Sequence, residues 1–119
     1  MNQQPRNPRP VEVADTIDRA ADYIMEQGWT YANCGENPRT GGVCPMVAID
    51  KVTRSPGSYH AAMDTFRRYG IYHLPDAYSA AGWSVARWND SQRDRRKVVR
   101  HMRKCARMVR NHELQAATP

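Results

Sequence analysis

Apolar and polar positions recur along this chain at helical spacing. Between Pro10 and Gln27 the apolar set is Val13, Ala14, Ile17, Ala20, Ala21, Ile24 and Met25. At about 100° per residue these positions form one stripe. Glu12, Asp15, Asp18, Asp22 and Glu26 make the other side acidic. The spacing predicts a first helix over 10–27, with Pro10 at the position where a missing N–H costs nothing. Gly28 then ends it, since only Gly takes the left-handed conformation cheaply. Trp29 follows where a side chain folds back onto the last turn, near Ile24.

Residues 30–43 show no period and contain Gly35, Pro38, Gly41 and Gly42, so they read as a loop. A second helix is predicted from Cys44, with Pro45 first, to about Arg54. Met46 or Val47, Ile49 and Val52 are its apolar residues. The cluster Ser55-Pro56-Gly57-Ser58 breaks it, and Ser55 or Ser58 caps a third helix over about 58–69. Its core face is Tyr59, Ala62, Met63 and Phe66, and Gly70-Ile71 repeats the stop seen at Gly28-Trp29. After a short apolar segment, 71–74, a fourth helix is expected over about 76–86. Gly82 weakens it by ~1 kcal/mol relative to Ala. Trp83 and Trp88 are then expected to be partly buried together.

The last predicted helix is the longest. Trp88-Asn89-Asp90-Ser91 is a turn signal, and roughly 20 residues without Gly or Pro follow, about six helical turns. Ser91 with Asp94 fits a capping box, and the helix is expected to run to about His112. Val98, Val99, Met102, Cys105, Ala106 and Val109 make its apolar stripe. The pattern as a whole predicts an all-α, compact single domain of about five helices with a long basic C-terminal helix. The expected division is a disordered N-terminal arm over 1–9, the helical domain over 10–113 and a frayed tail over 114–119.

Charge changes the picture only at that last helix. Nine of the chain's 18 basic residues lie in 91–113, offset there only by Asp94 and Glu113, whereas the whole chain carries +6. Arg93, Arg96, Lys97, Arg100, Arg103, Lys104 and Arg107 fall within about 120° of arc, with Arg110 just outside it. Like charges at this spacing destabilise an isolated helix by ~0.2–0.5 kcal/mol per pair. Arg, with its planar fork, pairs bidentately with carboxylate and phosphate. The row therefore points to an anionic partner. The competing reading is a solvated face, neutralised in part by the acidic side of the first helix.

The composition, 40% hydrophobic and 25% charged, is that of a soluble globular protein. No apolar run approaches the ~18 residues of a membrane span, and the first ten residues have no apolar core of a signal peptide. A cytoplasmic location is the expectation, and three cysteines, an odd number, argue against a disulfide framework.

The order of these signposts resembles a small helical domain-of-unknown-function family of actinobacteria and their bacteriophages. The matching residues are Gly28-Trp29 after the first helix, Cys44 with Ala48-Ile49 at the second, Trp88-Asn89-Asp90, and Val98-Val99 onward. They spread over about 11–109. The chain departs from that pattern at Met46-Val47, where the family often has Gly, and in a longer stretch over 71–87. The resemblance implies a phage-encoded accessory protein acting in the host cytoplasm, and no mechanism.

Catalytic and metal chemistry find little support. His101 and Cys105 share a helix edge, but a zinc site needs two more ligands and no other closely spaced Cys or His pair supplies them. No nucleophile elbow or other nucleophile context marks a Cys–His pair. Thr40-Gly41-Gly42 lacks the lysine of a phosphate-binding loop. Asp90 reads as a helix-start residue. The expectation is a non-enzyme without cofactor or metal. It binds a host or phage macromolecule, an acidic protein surface in first place, through Arg93, Arg96, Lys97, Arg100, Arg103, Lys104, Arg107 and Arg110. The alternative is a sequence-nonspecific binder of nucleic-acid backbone, because the last helix lacks base-reading Asn and Gln. A small enzyme or metal protein is the third class.

Overall fold

A computed structural model of the chain describes residues 8–30, 37, 39–67, 88–89 and 91–117. The fold is all-α. Among the described residues there are four helices: α1 (Pro10–Gln27), α2 (Pro45–Val52), α3 (Pro56–Phe66) and α4 (Arg95–Ala117). The predicted fourth helix over 76–86, the segment 71–74, the Gly70-Ile71 stop, Trp83 and residues 1–7 lie outside the described residues. No helix among the described residues is long and apolar enough to cross a membrane.

The first helix has the bounds its pattern predicts. Its core face is Val13, Ala14, Ile17, Ala20, Ala21 and Ile24, joined by Thr16. Thr16 is buried because its hydroxyl donates to the Glu12 carbonyl at 3.0 Å, which satisfies it within the helix. Met25 does not join that face: it is 45% exposed. It sits about 100° round from Ile24, at the edge of the stripe.

Gly28 donates its N–H to the Ile24 carbonyl at 2.8 Å and has φ 98° and ψ 169°. The positive φ is as expected, the ψ is extended, and the half-buried Trp29 side chain packs against the core. Trp29 also pairs with Val43 in an isolated parallel bridge. Val43 N–H donates to the Gly28 carbonyl at 3.0 Å, and Thr30 N–H to the Val43 carbonyl at 3.2 Å. Gly42 makes this approach feasible, since a Cβ there would stand 3.0 Å from the Trp29 carbonyl oxygen.

Cys44 stands at the N-cap of α2 with Pro45 in the first turn. Cys44 is disulfide-bonded and Cys105 is free, which corrects the expectation that the cysteines form no disulfide. Cys34 lies outside the described residues. Of the two serines able to cap α3, Ser55 does so, accepting the Ser58 N–H at 3.1 Å. Pro56 and Gly57 thus belong to the helix's first turn, because a Pro there fixes φ and forfeits no hydrogen bond.

The two long helices, α1 and α4, share the most extensive packing. Ile17, Ile24, Val43, Ile49, Phe66, Trp88, Val98 and Met102 are fully buried together. Phe66 meets Trp88 edge to face, with ring centroids 5.5 Å apart. Trp88 is buried completely rather than in part.

The start of α4 differs from the expected capping box. Asp94 is its cap: the carboxylate accepts the Arg96 N–H at 2.9 Å, and its carbonyl accepts from Lys97 and Val98. Ser91 instead closes the preceding turn, its hydroxyl donating to the Trp88 carbonyl at 2.6 Å. An Asp at the N-cap also faces the positive end of the helix dipole, which a Ser cannot exploit. At its other end α4 continues to Ala117, more than a turn past His112.

Candidate functional site

The basic row occupies one long side of α4, and the fold divides it. Arg103 and Arg110 lie on the edge nearest α1. Arg103 reaches Asp22 at 2.6 Å and Asp18 at 3.5 Å. Arg110 reaches Asp15 at 2.6 Å and Asp18 at 2.7 Å. Later residues on α4 meet earlier ones on α1, so the helices run antiparallel. Asp18 serves both arginines. The Asp15 and then Asp18 hydrogen bonds hold the Arg110 guanidinium still more firmly in its charged form.

The rest of the row lies farther round α4, beyond the reach of the α1 carboxylates. Arg96, Lys97, Arg100, Lys104 and Arg107 are exposed, and none makes a salt bridge to a described residue. Arg93 precedes the helix. It is exposed, and one guanidinium nitrogen donates to the Gln92 carbonyl at 2.8 Å, so it does not continue the helical row. Thus the structure brings five of the eight predicted residues together on one outward surface, ties two into the α1 seam and leaves one at the helix entrance.

Beside the outward row runs a groove of about 670 Å³. Arg96, Arg100, Lys104 and Arg107 line it together with His101 and the Asp-paired Arg103, and Met25 of α1 and Val99 are apolar parts of its wall. Met25 is the one exposed large apolar side chain among the described residues. Its place in the apolar stripe of the first helix concealed this role. The sequence signal that could have found it is its position at the stripe's edge, on the same side as Asp18 and Asp22.

A second constellation sits where α4 enters the fold. Asn89 is fully buried, and both ends of its amide are satisfied. Its Oδ1 accepts the Trp29 indole N–H at 2.6 Å, and its Nδ2 donates to the Thr30 carbonyl at 2.9 Å. Only one orientation of the amide makes both bonds. Gln92, also buried, donates to the Trp88 carbonyl at 3.2 Å. Gly28-Trp29 and Trp88-Asn89, two separate signposts in the sequence, are therefore the two halves of one buried contact. Asp90 lies outside the described residues.

The candidates for other chemistry fall into structural positions. Cys105 is buried, with its thiol against the Thr65 carbonyl at 3.7 Å. Burial, and secondarily the charge of Asp18, pushes its pKa up to about 12. It is a thiol and not a thiolate at neutral pH, and so a poor nucleophile and metal ligand. His101 stacks obliquely on Trp88, centroids 5.2 Å apart, and its Nδ1 meets the Lys97 carbonyl at 2.9 Å. No group of three or more His, Cys, Asp or Glu among the described residues is arranged to hold a metal ion.

The described residues 39–42 of the Gly-containing loop also turn their donors inward. Arg39 and Thr40 N–H groups donate to the Asn37 side chain, Gly41 N–H to the Asn37 carbonyl and Gly42 N–H to the Thr40 hydroxyl. A phosphate cradle needs such groups pointing outward.

These contacts span the chain from its first helix to its last, and so does its likeness to known proteins. Residues 8–108 match the model of a family of unknown function (DUF6197). The chain belongs to this family. The DUF6197 region contains all of α1 to α3, the Trp29–Asn89 contact and α4 as far as Met108. No curated protein and no solved structure matches the chain.

Proposed function

We propose that this DUF6197 protein is a non-catalytic, phage-type accessory protein that binds an acidic protein surface in the host cytoplasm through the outward row of α4. The observation that carries this reading is the pairing of that row with Met25. Arg96, Arg100, Lys104 and Arg107 line a groove that also exposes an apolar side chain. A nucleic-acid backbone presents phosphates to such a surface but offers Met25 nothing apolar to cover it. A protein surface answers both, because interface centres combine apolar anchors with Arg contacts.

Concentrating cations costs α4 some helix stability through like-charge repulsion. The α1 carboxylates relieve that at Arg103 and Arg110, and the remainder is relieved by an external anion. Such a contact gains on-rate and selectivity from its field more than from any one pair.

The test is capture from nuclease-treated host lysate, with identification of the retained protein. The triple variant Arg96→Glu/Arg100→Glu/Arg107→Glu should lose that protein while keeping the parent's helical circular dichroism. Retention by the folded variant would remove the surface from consideration. In parallel, anisotropy with labelled duplex DNA and RNA should show no tight complex at ~150 mM salt. Affinity falling steeply between ~50 and ~200 mM salt would favour the nucleic-acid reading instead.

A further inference from the structure

Resting on the reading that the partner is a protein, we infer that the groove takes one class of element: an amphipathic helix with an acidic stripe, lying along α4 beside α1. The molecule already contains one such contact. Asp15, Asp18 and Asp22 follow each other at three- and four-residue spacing, and they bind two arginines at the edge of the groove, one of which, Arg103, also lines it. Each of the two arginines bridges two carboxylates that are neighbours on a helix. Arg96, Arg100, Lys104 and Arg107 present the same cationic chemistry on the outward side, at the three- and four-residue spacing that the aspartates have on α1. Among the described residues no carboxylate pairs with them.

The dimensions define the guest. From Arg96 to Arg107 the helix rises about 16 Å, which is about three turns of a partner helix. Its carboxylates must recur every three or four residues to stay on one side. Met25 and Val99 supply the apolar part of the wall, so an apolar residue beside the stripe belongs there. The orientation is also set. Asp22 and Glu26 are exposed on α1 next to Met25, and like charge repels an acidic face from that side. The acidic stripe therefore faces α4 and the apolar residues face α1. An extended acidic segment would meet the cations but would not place an apolar side chain on Met25 at regular helical intervals.

A stapled helical peptide of about 14 residues, with Glu at positions 3, 6, 10 and 13 and Leu beside that stripe, is the probe. Its control is a stapled peptide of identical composition with the Glu residues distributed around the helix. Anisotropy against the full chain at ~100 mM salt should show the striped peptide binding at least about tenfold tighter than the control. Arg100→Glu should lower that affinity about tenfold or more, and Met25→Ser about fivefold, from loss of part of a methionine's burial. Both substituted residues are exposed, and circular dichroism checks the fold. Equal binding of the two peptides would overturn the helix inference and leave an anionic protein partner standing. Binding of labelled duplex with neither peptide bound would overturn both readings.

Discussion

Two edges of the same helix carry the same side chains and meet different neighbours. On the edge of α4 nearest α1, Arg103 and Arg110 end on Asp15, Asp18 and Asp22. On the outward edge Arg96, Arg100 and Arg107 end in solvent beside Met25. Only some tens of degrees around the helix separate the two sets. An arginine row therefore cannot be assigned to folding or to binding as a unit. What its neighbours are decides, and only the packing of α1 supplies neighbours. A third region, the Trp29–Asn89 contact, joins the end of α1 to the entrance of α4, whose packing against α1 places the arginines on their edges.

That dependence can be attacked first at Asn89. Asn89→Asp keeps the volume but puts an acceptor against the Thr30 carbonyl, and buries a charge. It should cost about 4 kcal/mol at neutral pH, from a lost bond and a desolvated carboxylate. Burial and the opposed carbonyl raise that carboxyl's folded-state pKa. The penalty should thus shrink as pH falls and the carboxyl becomes a donor. Urea melts at pH 4 and pH 7 check both size and sign, and a loss independent of pH would contradict the assigned geometry.

Gly42→Ala should come next. Its Cβ would stand 3.0 Å from one Trp29 backbone atom and 3.1 Å from another, so the parallel bridge must shift. Overpacking of this kind costs about 1–2 kcal/mol, to be read as a lower urea midpoint at unchanged slope.

Asp18 is the centre of the seam, half-buried and shared by Arg103 and Arg110. Asp18→Asn should cost about 1 kcal/mol, the upper range for partly exposed pairs joined in a network. Arg100→Glu on the other edge should move stability by no more than ~0.5 kcal/mol while abolishing partner capture. Equal losses at the two positions would erase the distinction between the edges.

The smallest effect at neutral pH belongs to Cys105. Its folded-state pKa is pushed up to about 12, above the ordinary value of a thiol in the unfolded chain. The native state then holds a proton that the unfolded state has lost, so stability is present below the thiol's ordinary range and falls as pH rises toward 12. Cys105→Ala should flatten the alkaline decline of stability, and a thiol reagent at pH 8 should leave native Cys105 unlabelled. Labelling at the rate of an exposed thiol would contradict its burial.

Periodicity and cap chemistry made much of the fold legible from the residues alone. The stripe from Val13 to Ile24, bracketed by Pro10 and Gly28, determines α1 because both its faces and both its ends are local. The apolar set from Val98 to Val109 determines the anchored side of α4 in the same way. Local chemistry misplaced what depended on competition between equivalents. Ser91 and Asp94 could both start the last helix, and the Asp wins through the helix dipole. Met25 could join the stripe, and it does not because it lies at the edge of what α2, α3 and α4 cover.

The amino-acid sequence by itself determined an all-helical chain with an acidic first helix and a basic last one, since these follow from spacing and charge within each segment. Tertiary structure alone decided that Asn89 joins Trp29 and Thr30, that Cys44 is disulfide-bonded, and that two arginines face carboxylates while others face solvent. The Asn89 and arginine contacts join residues some 60 to 95 positions apart. Their existence depends on where two helices come to rest, and no local pattern encodes that.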